Sequence, residues 1–144
     1  MSPLDLRTRP PRSPYTELAG LMFMPRTIDK LRAQLPGGNT GVYFINGKIK
    51  GMSGYLLERL GITEAELLEA VRTCDDEQAI ARWLRERTDP AQYDAINQTM
   101  SHLKLKHSGD ETYVRELYAE TLAAQPDLVT LFEIMEADDR RLFA

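Results

Sequence analysis

The residue types with the most chemistry in this chain gather between Met24 and Ala33, in the segment MPRTIDKLRA. Arg26, Asp29, Lys30 and Arg32 fall within about two turns of a helix that Pro25 opens. Arg26 and Lys30 are i, i+4 neighbours on such a helix. They stand near an amino-terminal end whose free backbone donors and partial positive charge favour anions. An anionic group would be held there by Arg26 as a planar clamp and Lys30 as a point charge, with Asp29 orienting the arginine. Arg32 on the same helix, Arg9 or Arg12 folded over from the preceding segment, and Tyr43 or Tyr55 nearby extend the candidate site. The competing reading is a surface ladder of Arg26, Asp29 and Arg32 at i, i+3 spacing, each pair contributing about 0.2–0.5 kcal/mol. Spacing alone leaves both open.

The remaining motifs argue for structure before catalysis. Gly41 to Lys48 superficially suggests a phosphate loop, but Val42 to Asn46 puts five residues between the glycines where the motif has four, and Ile49 stands where Ser or Thr must ligate magnesium. His102 and His107 face different sides of one helix, so they do not form the i, i+4 pair of a metalloprotease. Cys74 has no cation or histidine in its own segment and sits beside Asp75 and Asp76, which oppose thiolate formation. Ser53, between Met52 and Gly54, reads as a helix cap in preference to a nucleophile. Glu133, Glu136, Asp138 and Asp139 carry oxygen ligands for a cation, yet Arg140 and Arg141 follow at once, and a solvated, self-neutralising helix end is favoured. The catalytic residues are therefore left unassigned, and no metal and no cofactor is expected.

The elements that must position these residues are helical. Residues 1–14 carry four of the eight prolines, which predicts an extended arm whose order depends on docking, ahead of a single helical domain over 15–144. Ser13-Pro14 reads as a cap and first helical position, starting a short helix toward Leu21. The helix opened by Pro25 has Ile28, Leu31 and Leu35 on its apolar face and stops at Pro36-Gly37-Gly38. Val42 to Ile45 is β-branched and aromatic and runs into Asn46-Gly47, a pattern compatible with a small β-hairpin near residues 42–50. Ser53 opens a helix that Gly61 ends, and Thr63 with Glu66 forms the capping box of the next. Asp75 or Asp76 and then Asp89-Pro90 start two more, and Pro126 separates a helix through Val114 and Thr121 from one through Leu128 and Met135. The expected fold is mainly α, a single-domain helical bundle of about six to eight helices.

Composition bounds the function. With 144 residues, 42% hydrophobic and 28% charged, the chain can bury an ordinary core without metal or disulfide staples. One cysteine with no partner points to a reducing, cytoplasmic setting. The longest nearly apolar run, Leu18 to Met24, is far short of the about 20 residues a bilayer requires, so no membrane span is expected. Residues 1–50 hold eight Lys/Arg against three Asp/Glu, whereas residues 51–144 hold ten against nineteen. The acidic remainder argues against nucleic acid, leaving Lys104, Lys106 and His107 as the sole basic run outside the first third.

The stretches LDLRTRPPRSP at Leu4 to Pro14, MPRTIDKLRA at Met24 to Ala33, GYLLERLGIT at Gly54 to Thr63 and LFEIMEADDRRLFA at Leu131 to Ala144 resemble a bacterial family. It is catalogued as domain-of-unknown-function family number five thousand and sixty-nine. The resemblance spans nearly the whole chain and implies a stand-alone bacterial protein of this size, with no activity or catalytic residue to carry across. Two classes of function follow from the residues. One is a non-enzymatic binding or interaction module, self-associating into a homo-oligomer through its opposed charges. The other is a small enzyme or sensor that binds an anionic small molecule through the basic cluster. The unusual residues concentrate before Tyr55, and a site is expected there.

Overall fold

Residues 1–144 are all described by the computed structural model, and no helix in it is long and apolar enough to cross a membrane. Pro25 sits in the first turn of α1 (Met24–Gln34), where its missing N–H costs nothing. Nine of the eleven α1 residues are buried, from Met24 through Leu31 and then Ala33. An amphipathic surface helix buries one stripe; α1 is covered nearly all round. It packs against α2 (Met52–Leu60) and α3 (Glu64–Thr73). Beyond these lie α4 (Glu77–Arg87) against α3, and α5 (Tyr93–Ser101) against α2. Then α6 (Glu111–Leu117) and α7 (Ala119–Ala124) lead to α8 (Leu131–Leu142), which packs on α7. The eight helices share one core, with Phe23, Ile28, Leu31, Leu56, Leu67, Ile80, Leu84 and Phe132 fully enclosed.

Side-chain caps start four of the helices. The Thr63 hydroxyl accepts the Glu66 N–H, Asp76 accepts that of Ala79, and Asp110 that of Tyr113. Thr130 and Glu133 form a reciprocal capping box at the start of α8. Such caps are each worth about 1 kcal/mol and fix the direction in which a helix leaves its loop.

Three local expectations are corrected. The helix expected from Ser13-Pro14 to Leu21 is absent, and β1 (Glu17–Leu18) pairs antiparallel with β2 (Leu21–Met22) instead. Between them Ala19 and Gly20 take positive φ of 58° and 87°. Tertiary bonds hold this turn: the Asn97 side chain on α5 donates to the Gly20 carbonyl at 2.8 Å and accepts the Met22 N–H at 2.9 Å. Local propensity yields to them. The hairpin compatible with 42–50 is reduced to one antiparallel bridge between Asn46 and Lys50, because Val42 to Phe44 line a cavity and have no partner strand. Ser53 is not a cap; Gly51 holds that position and Ser53 is fully buried inside α2.

The first residues lie along the α1 side of the domain. Leu4 and Leu6 pack with Ala33, the Leu4 N–H donates to the Arg32 carbonyl at 3.2 Å, and the Asn39 N–H donates to the Leu4 carbonyl at 3.0 Å. Gly38 permits this approach, since a Cβ there would stand 2.5 Å from the Ala33 carbonyl oxygen and 2.9 Å from that of Leu4. Both obstacles are backbone, so Gly38→Ala is expected to cost about 1–3 kcal/mol in urea unfolding and to speed proteolysis within residues 1–14. Unchanged stability with an unchanged cleavage pattern would show that the backbone yields at no cost.

Candidate functional site

A helix enclosed on nearly all sides must find partners for every polar group it carries, because an unpaired buried charge costs several kcal/mol. Four ionisable or hydroxyl side chains of α1 are buried: Arg26, Thr27, Asp29 and Lys30. Arg26 reaches Asp139 on α8, with Nη1 donating to Oδ2 at 2.6 Å and Nη2 to Oδ1 at 3.3 Å. Its guanidinium lies between two rings, 5.8 Å from the Phe23 centroid and 5.5 Å from that of Tyr43. Asp29 accepts from Arg12, whose Nη2 lies 3.0 Å from Oδ1 and whose backbone N–H donates to Oδ2 at 2.8 Å. Arg12 also binds Glu77 at the start of α4, so one guanidinium ties the first segment to two helices.

Arg26 Nε is buried with no hydrogen-bond partner, and Lys30 is left without a counter-ion. It is 7% exposed, no carboxylate lies within ion-pair distance, and its sole hydrogen bond runs from Nζ to the Ser53 hydroxyl at 3.3 Å. An ammonium has three protons to place, and here two have no acceptor. Burial, followed by the nearby Arg26 charge, pushes the Lys30 amine well below its ordinary range, against a smaller pull from Asp139. The Phe23 ring, 5.2 Å from Nζ, favours the charged form. That contact is worth about 0.5–2 kcal/mol and falls short of what burial of an unpaired charge costs. Phe23 delivers this ring from a left-handed backbone with φ 70°, a conformation that costs a non-glycine residue on the order of 1 kcal/mol.

Two hydroxyls lie beyond Lys30. Thr27 Oγ1 lies 3.0 Å from the Phe23 carbonyl and 2.9 Å from Ser53 Oγ, and either hydroxyl can supply the proton of the contact between them. Ser53 Oγ is the one hydrogen-bond partner of Lys30 Nζ.

Lys30 and Arg26 line a cavity of about 480 Å³. Its other walls come from residues 42–51, from α2 through Met52 and Tyr55, from His107 to Gly109, and from α6 and α8. Most of the lining is apolar, and three of the chain's exposed large hydrophobics, Val42 at 69%, Leu117 at 43% and Leu142 at 41%, stand on its walls. The few polar groups are distinct in state. The Tyr43 hydroxyl donates to Asp139 Oδ1 at 2.7 Å, and burial together with that bond holds its proton on. Tyr118 makes no side-chain hydrogen bond, and burial pushes its phenol up to about 12. His107 Nδ1 accepts the Lys104 N–H at 2.9 Å, which places the neutral ring's proton on Nε2.

Of the five basic residues read from the sequence, Arg26 and Lys30 share the cavity with Tyr43 and Tyr55. Arg32 instead donates to the Ser2 carbonyl and hydroxyl at 2.8 Å and 2.9 Å, Arg9 is exposed, and Arg12 is held by Asp29 and Glu77. The expected ladder of Arg26, Asp29 and Arg32 does not form, and Asp29 does not orient Arg26. Arg26 and Asp29 both reach Arg12, the first its carbonyl and the second its N–H and guanidinium, while Arg32 reaches Ser2. The four carboxylates near the end of the chain also separate: Glu133 caps α8, Glu136 binds Arg140, Asp138 binds Thr121 and Arg141, and Asp139 holds Arg26. No group of three His, Cys, Asp or Glu side chains is placed to hold a metal ion. The residues that sequence reasoning missed are Asp139, Ser53, Thr27 and Tyr118. Asp139 alone had a signal, being an acid on the same face of α8 as the core residues Phe132 and Met135.

A family model described as Domain of unknown function (DUF5069) matches residues 8–141. No curated protein matches the chain.

Proposed function

The chain belongs to the DUF5069 family, and from its cavity we propose that it is a binding protein for one small molecule with an apolar body and a carbonyl or carboxylate head. The observation that carries this is Lys30, a buried amine without a counter-ion on the wall of an open, mostly apolar cavity. A protein that spends stability on a buried amine with no counter-ion recovers it when a ligand supplies the missing partner. The cavity volume of about 480 Å³ lies within the range that encloses small ligands. Exposed Val42, Leu117 and Leu142 favour an apolar tail over a sugar or nucleotide. Arg26 contributes its charge but not a free clamp, since Asp139 already occupies its Nη atoms. The resemblance favours a bacterial source, and the unpaired Cys74 fits the cytoplasm.

Thermal denaturation with octanoate tests the reading. Octanoate is expected to raise the Tm of the wild type and acetate, which lacks the tail, is not. Lys30→Met keeps the length and apolar character of the stem and is expected to lose the octanoate shift. An octanoate shift of equal size in Lys30→Met would sink the assignment of the head group, and no shift in either protein would sink the proposal.

A further inference from the structure

We propose that Lys30 is a nucleophile that forms an imine with an aldehyde or ketone carried into the cavity on an apolar body. This rests on the binding role above and adds covalent chemistry to it. The warrant is the pairing and the place of the amine. Lys30 is buried on the wall of an open cavity, with one hydrogen bond, to the Ser53 hydroxyl at 3.3 Å, and no carboxylate within ion-pair distance. That single bond restrains the rotation of the amine. A lysine meant as a structural cation would have its protons matched by carboxylates or carbonyls, as those of Arg12 are.

The surroundings agree with this role. Two features activate a lysine amine toward carbonyl carbon, an apolar pocket and a neighbouring cation. Both are here: Lys30 lies beside the Phe23 ring, and the Arg26 charge stands near enough to oppose its protonation. Asp139 is the one carboxylate that acts on Lys30, and it is engaged by Arg26 and Tyr43. Arg26 in turn is held in place by Asp139 and by the Arg12 carbonyl at 3.1 Å.

The step balances without an oxidant, a reductant or a metal. The Nζ lone pair attacks the carbonyl carbon, the carbon–oxygen π pair moves to oxygen, and oxygen takes up a proton to give a carbinolamine. Loss of that oxygen as water, carrying the two hydrogens that nitrogen gives up, leaves the carbon–nitrogen double bond. The Tyr118 hydroxyl lines the same cavity with no other side chain to bind, and it is the acid that lends a proton to the oxygen and recovers it from nitrogen.

Octanal with sodium cyanoborohydride near neutral pH tests this on the full chain, since the reagent converts an imine into a stable secondary amine. The chain has five lysines, Lys30, Lys48, Lys50, Lys104 and Lys106, and peptide mass mapping distinguishes them. The expected result is one octyl group on Lys30, with the four others labelled at least tenfold more slowly, and protection of Lys30 by excess octanoate. Labelling confined to the other lysines, while octanoate still raises the Tm, would overturn the imine and leave the binding role standing. Absence of both the label and the octanoate shift would overturn the two together. Lys30→Met, which cannot form the adduct, serves as the blank for the mass assignment.

Discussion

Asp139→Ala is expected to lower stability by about 3–5 kcal/mol, the cost of leaving one member of a buried ion pair without the other. The variant strands more than a charge. Asp139 accepts both Nη atoms of Arg26 and the Tyr43 hydroxyl, so truncation leaves Nη2 and that hydroxyl unpaired and Nη1 with the Arg12 carbonyl alone, in a region where Arg26 is 3% exposed. Stacking between Phe23 and Tyr43 retains part of the guanidinium's stabilisation but accepts no hydrogen bond. For a chain of this size the fall in Tm is roughly 10 °C or more. A double variant separates the stranded charge from lost packing. In Arg26→Met with Asp139→Leu both charges leave together, and buried pairs so replaced are often neutral or stabilising. Urea unfolding should therefore place the double variant well above Asp139→Ala. If the two are equally unstable, the pair's value lies in shape and not in charge, and the reasoning applied to Lys30 weakens with it.

Much of the helical framework could be read from local chemistry, because caps and apolar stripes are short-range signals. Thr63 with Glu66, Asp76, and Asp89 before Pro90 mark helix starts within one turn of where they occur. Tyr15 to Leu21 failed for the opposite reason. Its turn is held by Asn97, about 75 residues away in sequence, and nothing in its own residues announces that partner. Asn46 pairs with Lys50 across a bend that includes Gly47, but a hairpin also needs flanking strands that bury a face on each other, and Val42 to Phe44 line the cavity instead.

The site was legible to the same depth. Arg26 and Lys30 stood out by type and spacing, but their environment was misread, since charges on a proline-opened helix are ordinarily solvated. What spacing does not carry is that α1 is enclosed, and enclosure changes what each charge must do. Arg26 and Asp29 then require carboxylate or guanidinium partners from far along the chain, and Asp139 and Arg12 supply them. Lys30 receives none, and that difference emerges only when all three are placed.

The second large effect follows from that difference and concerns pH. A lysine whose folded pKa is depressed binds its proton more tightly in the unfolded chain, so the unfolded state holds more protons between the folded value and the ordinary one of about 10.4. Stability therefore rises with pH through that window, by up to about 1.4 kcal/mol per pH unit for one proton. The phenols set the upper limit: Tyr43 and Tyr118 hold their protons in the fold past the point near pH 10 where unfolded tyrosines release them, so the fold loses stability above it. The wild type should thus climb through the window below about pH 10 and then decline. Lys30→Met should be more stable than the wild type at neutral pH, and should lose the climb while keeping the decline. Urea unfolding of both proteins at several pH values reads the two slopes directly. Parallel curves would mean that Lys30 is charged in the fold and that an acceptor reaches it, which would remove the basis for both its binding role and its nucleophilicity.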